Sequence, residues 1–209
     1  LKHEADGSGY IKEGFSQIFM ISSTGGKPIQ VTTEKFNHYS FDWMSGSDGF
    51  VFSSNYTEEW EYDFRNSEIY SISVNGSNIQ QLTDRNGPDM GAAVSPDGKL
   101  IAYLGYEDKV QTYQINNLTI MDIDGSNKRT IDIDLDRNIE SLKWSADGKN
   151  LYFMYDNYGN TKIATTNLNG RVRKLIDDVG GTSIGRPYGG GSFSVSLEGE
   201  ISYTLTSPY

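Results

Sequence analysis

Cysteine is missing from all 209 residues, which excludes disulfides, thiolate metal ligands and cysteine nucleophiles at one stroke. The same lack leaves the compartment open, cytoplasmic or periplasmic, because a cysteine-free chain folds in either redox environment. Basic residues are scarce: 18 Lys and Arg against 28 Asp and Glu give a formal net charge of −10. A nucleic-acid binder needs a basic face to neutralise phosphates, so no nucleic-acid partner is expected. An anionic membrane surface would repel the chain for the same reason. Long apolar runs are also absent. Runs such as 19–21 and 100–104 fall far short of the roughly 18 residues that a membrane helix needs, and no basic-then-apolar leader opens the sequence. Nor does any stretch carry apolar residues at i, i+3, i+4 and i+7 over three turns, the pattern of an amphipathic helix.

What is abundant points one way. The chain holds 23 Gly, 14 Tyr and 9 Phe. Aromatic and β-branched residues suit pleated, half-buried surfaces, and glycine supplies turns at positive φ. The composition reads as all-β.

Laid against itself, the chain repeats. One marker is a serine, a tight acidic-glycine turn and then a β run: Ser45-Gly46-Ser47-Asp48-Gly49, Ser95-Pro96-Asp97-Gly98-Lys99, Ser145-Ala146-Asp147-Gly148-Lys149 and Ser196-Leu197-Glu198-Gly199. Its glycines are spaced by 49, 50 and 51 residues. A second marker, an alternating run turning at a glycine into a short strand, places Gly25, Gly76, Gly125 and Gly170 at steps of 51, 49 and 45. Asn-Gly and Asp-Gly turns match the twist of hairpins. Four antiparallel strands in each repeat of 40–50 residues is the signature of β-propeller blades.

The expected architecture is a β-propeller of four blade equivalents: a half-blade at 17–33, whole blades at about 41–84, 90–132 and 139–176, and a half-blade at 191–206, all in one domain or segment spanning 1–209. The half-blades could close a small ring within one chain, or join two copies as a homodimer. The favoured reading is a part of a larger propeller. Trp43 and Trp144 occupy equivalent repeat positions and are assigned to the core, and the glycine-rich 180–191 reads as an inter-blade loop without the setting of a phosphate cradle.

The phrase Ser95-Pro96-Asp97-Gly98-Lys99-Leu100-Ile101-Ala102-Tyr103 resembles the blade motif shared by TolB-type propellers and the propellers of prolyl oligopeptidase-family serine peptidases. Arg65 to Tyr70, Leu82 to Asp89, Gly105 to Asp108 with Gln111 to Gln114, and Leu135-Asp136-Arg137 are similar to the acylaminoacyl-peptidase-like branch. So are Phe193 to Ser196 and Tyr203 to Pro208, and the likeness runs from about residue 10 onward. It implies a non-catalytic propeller that gates and positions oligopeptides for an α/β-hydrolase domain elsewhere in the same polypeptide, with a parent protein that is a serine peptidase. The alternative is a TolB-like protein-interaction propeller with no enzymatic partner domain.

A nucleophile elbow reads Gly-x-Ser-x-Gly at a strand-to-helix turn. Gly190-Gly191-Ser192-Phe193-Ser194 fails at its last position, and neither His3 nor His38 has a triad partner motif. The chain is therefore expected to hold no elbow, no hydrolase domain and no catalytic residue. No cofactor or metal is called for either. Asp122-Ile123-Asp124-Gly125-Ser126-Asn127 opens like a calcium loop but lacks the glycine at position six and the Glu at position twelve, so it reads as a hairpin turn. The substrate-contact candidates lie in two inserts. Glu58, Glu59 and Arg65 belong to the long acidic segment between the second and third strands of one blade, and Tyr106, Asp108 and Tyr113 to the corresponding segment of the next. Long loops on a rigid scaffold often carry function, and blade repetition puts both on one face.

Overall fold

The computed structural model describes the backbone of residues 2–4, 9–11, 14–183 and 186–205, and the side chains of 14–180 and 190–205. Among these residues there is no α-helix; the one helical turn is a short 3-10 segment at Ser45–Ser47. Three four-stranded antiparallel sheets form the body. The first holds β5 (His38–Trp43), β6 (Gly49–Ser54), β7 (Glu68–Ser73) and β8 (Gln80–Gln81). The second holds β9 (Asp89–Val94), β10 (Leu100–Gly105), β11 (Asn117–Asp122) and β12 (Arg129–Ile131). The third holds β13 (Ile139–Trp144), β14 (Asn150–Asn157), β15 (Asn160–Asn167) and β16 (Val172–Val179). Before them β3 (Phe19–Met20) pairs with β4 (Ile29–Gln30), and after them β19 (Phe193–Val195) pairs with β20 (Ile201–Tyr203). The fold class read from the repeats is the one observed.

Three of the four repeated turns are locked by their own serine, and the first, at Ser45–Ser47, is the 3-10 turn instead. Ser95 Oγ donates to Asp97 Oδ1 (2.7 Å) and accepts from the Leu100 N–H (2.9 Å), while the Gly98 N–H reaches the Ser95 carbonyl (2.8 Å). Ser145, Asp147, Gly148 and Asn150 repeat the arrangement within 0.1 Å. The marker thus ties the first strand of a sheet to the second.

The apolar residues collect in layers between sheets, as blade packing requires. Val51, Ile69 and Leu82 of the first sheet meet Ala92, Ile101, Tyr103 and Met121 of the second. Ala102, Leu104 and Leu118 of the second meet Ile139, Leu151 and Phe153 of the third. Ile18 and Val31 pack on Phe50, Phe52 and Tyr70 at one end, and Met154 and Ile163 approach Phe193 and Ile201 at the other. The second family of repeat glycines belongs to these layers. At Gly76 (φ +79°) and Gly125 (φ +85°) a Cβ would come within 2.5 Å of the Val31 carbonyl and 3.1 Å of the Leu82 carbonyl in the preceding unit, and at Gly170 it would strike the Asp132 carbonyl. The turn needs left-handed backbone and the neighbouring strand needs the empty space.

The innermost strands β5, β9 and β13 stand side by side. Asp42 Oδ2 accepts the Val94 N–H (2.9 Å), and Trp144 Nε1 donates to the Ala93 carbonyl (2.9 Å). Each strand carries one extra residue relative to its partner, a bulge whose left-handed residue is Ser40 (φ 51°), Gly91 (φ 66°) or Ser141 (φ 59°).

Two expectations are corrected, and one hairpin is added. Trp43 is 43% exposed, because among the described residues the unit before it packs the outer pair β3–β4 and no inner strand covers the indole as β9 covers Trp144. The 180–191 stretch is not a plain loop: β17 (Gly181–Ser183) pairs antiparallel with β18 (Arg186–Gly189). A further hairpin, β1 (Lys2–Glu4) with β2 (Gly9–Ile11), precedes the repeats.

Candidate functional site

Antiparallel meanders put the loops joining second to third strands, and the connections from fourth strand to the next first strand, on one face. The inserts 55–67 and 106–116 therefore emerge together, with 82–88 threaded between them. Asp89 N–H donates to the Ser67 carbonyl (2.7 Å) and Asp108 N–H to the Asn86 carbonyl (2.7 Å). Gly87 passes so close to the Tyr106 carbonyl that no side chain fits there. One short connection stitches both inserts.

Within this face Tyr106 and Tyr113 line a cavity of about 540 Å³ with Glu107, Gln111 and Asp136. Tyr113, 62% exposed, also borders a second cavity of about 410 Å³ lined by Arg137, Glu140, Tyr155 and Asp156. Burial, reinforced by the nearby Asp156 charge, pushes the Glu140 carboxyl above its ordinary value. Asp108 serves its own loop, accepting from Gln114 Nε2 (2.8 Å) and the Val110 N–H (2.7 Å). These bonds hold its carboxyl low, and the Arg65 charge from the neighbouring insert adds to them. Arg65 lies over the Phe64 ring, 5.4 Å from its centroid. The structure thus brings Tyr106 and Tyr113 to one cavity and Arg65 towards Asp108. Glu58 and Glu59 are exposed on the turn of the acidic insert and line neither cavity.

A buried polar cluster between the first and second sheets was not anticipated. Thr83 accepts the Ile69 N–H (2.8 Å) and donates to Glu68 Oε2 (2.5 Å), while Arg85 pairs with Asp89. Glu68 and Asp89 are 7% and 1% exposed. Burial raises Glu68 to about 7, the Asp89 charge adding and the Thr83 bond opposing. Burial likewise raises Asp89 to about 6 against the pull of Arg85. The signal lay in the repeat: aligned on Trp43, Val94 and Trp144, the first residue of the inner strand is His38, Asp89 and Ile139, all buried. Two repeats thus bury a titratable side chain at this position and the third an apolar one, which marks the first two as polar sites.

His38 is the buried first residue of β5 rather than a loop residue. Its Nδ1–H donates to the Ser16 carbonyl (3.0 Å), which fixes Nε2 as acceptor for the Tyr56 hydroxyl (2.7 Å). Desolvation lowers its pKa, so the ring stays neutral and structurally engaged, with neither nitrogen left for a nucleophile. The expectation that no elbow pentapeptide exists needs correction: Gly181-Thr182-Ser183-Ile184-Gly185 has the pattern. Its first three residues form β17, which pairs back through β18 as a hairpin, whereas an elbow turns from strand into helix. Ile184 and Gly185 lie outside the described residues, as does His3 in its side chain. The Asp122–Asn127 turn is the expected hairpin: the Gly125 N–H bonds to the Asp122 carbonyl (2.9 Å), and Ser126 and Asn127 cap the two carboxylates.

Comparison with known proteins places this geometry. Residues 6–108 match the family described as "Dipeptidyl peptidase IV (DPP IV) N-terminal region". Dipeptidyl-peptidase 5 of Trichophyton schoenleinii is 31% identical over 140 residues, 60% of this chain and 19% of that protein. Dipeptidyl-peptidase 5 of Porphyromonas gingivalis is 22% identical over 138 residues, 65% of this chain and 20% of that protein. The chain thus spans about a fifth of the length of these relatives. TolB from Acinetobacter baumannii superimposes with a TM-score of 0.64 at 19% identity over 90% of this chain and 42% of that one. A puromycin-hydrolyzing peptidase of Mycobacterium tuberculosis gives 0.63 at 16% identity over 90% of this chain and 32% of that one. The fold is that of a β-propeller with TolB-like blades. More particularly, the family match and the dipeptidyl-peptidase relatives make the chain similar to the propeller domains of the prolyl oligopeptidase family of serine peptidases.

Proposed function

We propose that residues 1–209 act as one non-catalytic propeller segment of an acylaminoacyl-peptidase-like serine peptidase, which admits and positions oligopeptides for an α/β-hydrolase domain of the same polypeptide. The observation that carries this reading is the shared face. The second insert, tied to the first through the 82–88 connection, forms with residues of 136–156 adjoining cavities lined by tyrosines, carboxylates, Lys109 and Arg137, a lining able to hold both the backbone and the charged ends of a short peptide. The likeness to dipeptidyl-peptidases supports it from the sequence side. Tyr106 and Tyr113 would provide flat, amphipathic contact area, with Glu140 and Arg137 at the charged ends. Glu58 and Glu59 would act at the mouth, Arg65 and Asp108 by holding the two inserts together.

The test uses the full-length polypeptide and two chromogenic substrates, a tetrapeptide amide and a small ester with no peptide extension. Tyr113→Ala is expected to lower kcat/KM for the peptide about 3–10-fold, the loss of one aromatic contact, and to leave the ester rate unchanged. Equal effects on both substrates, or on neither, would refute a substrate-positioning role for this face.

A further inference from the structure

On a chain with a net charge of −10, one cavity is rimmed by cations. It lies between the first and second sheets, has a volume of about 210 Å³, and is bordered by Arg85, Lys128 and Arg129. Its floor is a cross-strand row on the second sheet, Tyr103, Thr119 and Thr130. The equivalent row of the first sheet is Phe52, Tyr70 and Gln81, and there the Tyr70 ring fills the layer, 5.7 Å from Phe52 and 4.6 Å from Tyr56. Thr119 stands where that ring would be, and the exchange of a phenol for a hydroxymethyl-sized side chain opens the space.

Thr119 is 4% exposed, and its Oγ1 has no hydrogen-bond partner. Buried hydroxyls in folded proteins are paired almost without exception, so an orphan facing a cavity points to a partner that enters the cavity. The remaining groups define what that partner is. Two carboxylates also line the cavity: Asp89 is committed to Arg85, and Asp84, 88% exposed, lies 3.7 Å from Lys128. Burial raises the Tyr103 phenol to about 12, which keeps it a donor. The site therefore offers positive charge and several hydroxyl donors, to which a carboxylate, an acceptor at both oxygens, is the complement. An ammonium group would face three cations against two carboxylates that are already paired.

We propose that this cavity binds a small carboxylate, with Lys128 and the free N–H groups of Arg85 as charge partners and the Thr119 and Tyr103 hydroxyls as hydrogen-bond donors. The inference does not depend on the peptidase reading. The carboxylate has two possible sources, a free organic acid or the C-terminal end of a peptide, and the experiment separates them. Acetate, N-acetyl-alanyl-alanine and the C-terminal amide of that dipeptide are titrated into the chain, followed by the amide resonances of Thr119 and Thr130. Saturable shifts are expected with a carboxylate and none with the amide. Tighter binding of acetate identifies a free acid, and tighter binding of the dipeptide acid a peptide terminus. Lys128→Gln is expected to weaken binding at least about tenfold, the loss of a charge-assisted bond, and Thr119→Val about 3–10-fold, the loss of a neutral one. In the ligand-free protein Thr119→Val raises the melting temperature, because it removes an unsatisfied buried hydroxyl. The proposal is overturned if no carboxylate saturates, if the amide binds equally well, if either variant leaves affinity unchanged, or if Thr119→Val lowers the melting temperature, which would show that the hydroxyl is already partnered within the fold.

Discussion

Replacing Glu68 with glutamine tests the buried polar cluster at a single atom. The amide keeps an oxygen for the Thr83 hydroxyl but loses the ability to ionise. In the native protein the Glu68 carboxyl is raised from 4.5 to about 7, chiefly by burial. The folded state thus holds this proton more tightly than the unfolded chain does, and stability falls as the pH rises through that interval. Taking the two pKa values as they stand, raising the pH from about 5.5 to 8 removes about 2 kcal/mol through this group alone. For a chain of this size that lowers the melting temperature by about 4–8 °C. Asp89, raised to about 6, adds a smaller loss of the same sign. His38 works in the opposite direction: its lowered pKa contributes stability above 6.5 that is lost as the pH falls. Both are common to wild type and variant, so the difference between their pH profiles isolates Glu68. Calorimetric melting at a series of pH values should show Glu68→Gln gaining on wild type by about 2 kcal/mol between pH 5.5 and 8. Parallel profiles, or a variant that loses ground as the pH rises, would refute the assignment of a desolvated carboxyl here.

Gly170→Ala combines a left-handed backbone with a collision against the Asp132 carbonyl, and should destabilise the protein by about 3 kcal/mol in denaturant unfolding. Gly25 occupies the same repeat position at φ +88° with open space around it, so Gly25→Ala should cost only the conformational part, about 1 kcal/mol; equal losses would show that the inter-sheet contact has no energetic role. At the inner-strand bulge Gly91→Ala and Ser141→Gly should act with opposite signs, a loss of about 1 kcal/mol and a gain below about 1 kcal/mol. Two shifts of the same sign in thermal melts would remove backbone strain as the explanation.

The propeller was legible because its two markers are local chemistry repeated at a fixed period. Ser95 and Asp97 are visible as a turn before any strand is placed, and the glycines at 76, 125 and 170 announce themselves by spacing. The exposure of Trp43 was not legible, since it depends on which strands the preceding unit contributes and not on the tryptophan's own position in the repeat. Tyr106 and Tyr113 could be assigned to one face from repetition alone, but not to a common cavity, which required the path of the loop between them. The Glu68–Thr83 and Arg85–Asp89 pairs escaped because their members come from two strands and a connection. Only alignment of the inner strands, with Ile139 where Asp89 and His38 stand, exposes a buried position that is titratable in two repeats and apolar in the third. The pentapeptide at 181–185 shows the converse: a pattern complete in sequence, set in a hairpin that gives it a different meaning.

The layered core has a consequence for how the chain finds its pairing. In a sheet with one wet face, slipping a strand by one residue throws its apolar side chains into water, and that penalty selects the register. Strand β10 has no wet face: Ile101 and Tyr103 fill one layer, Ala102 and Leu104 the next. A one-residue slip would exchange the contents of the two layers and expose nothing, so water offers little discrimination between the right alignment and its neighbour. The decision passes to the serine turn. By fastening Leu100 to Ser95 through a side-chain hydrogen bond, it fixes which residues face which before the sheets have met. For a chain of this design, the motif that served to count the blades is also the device that keeps them from misaligning.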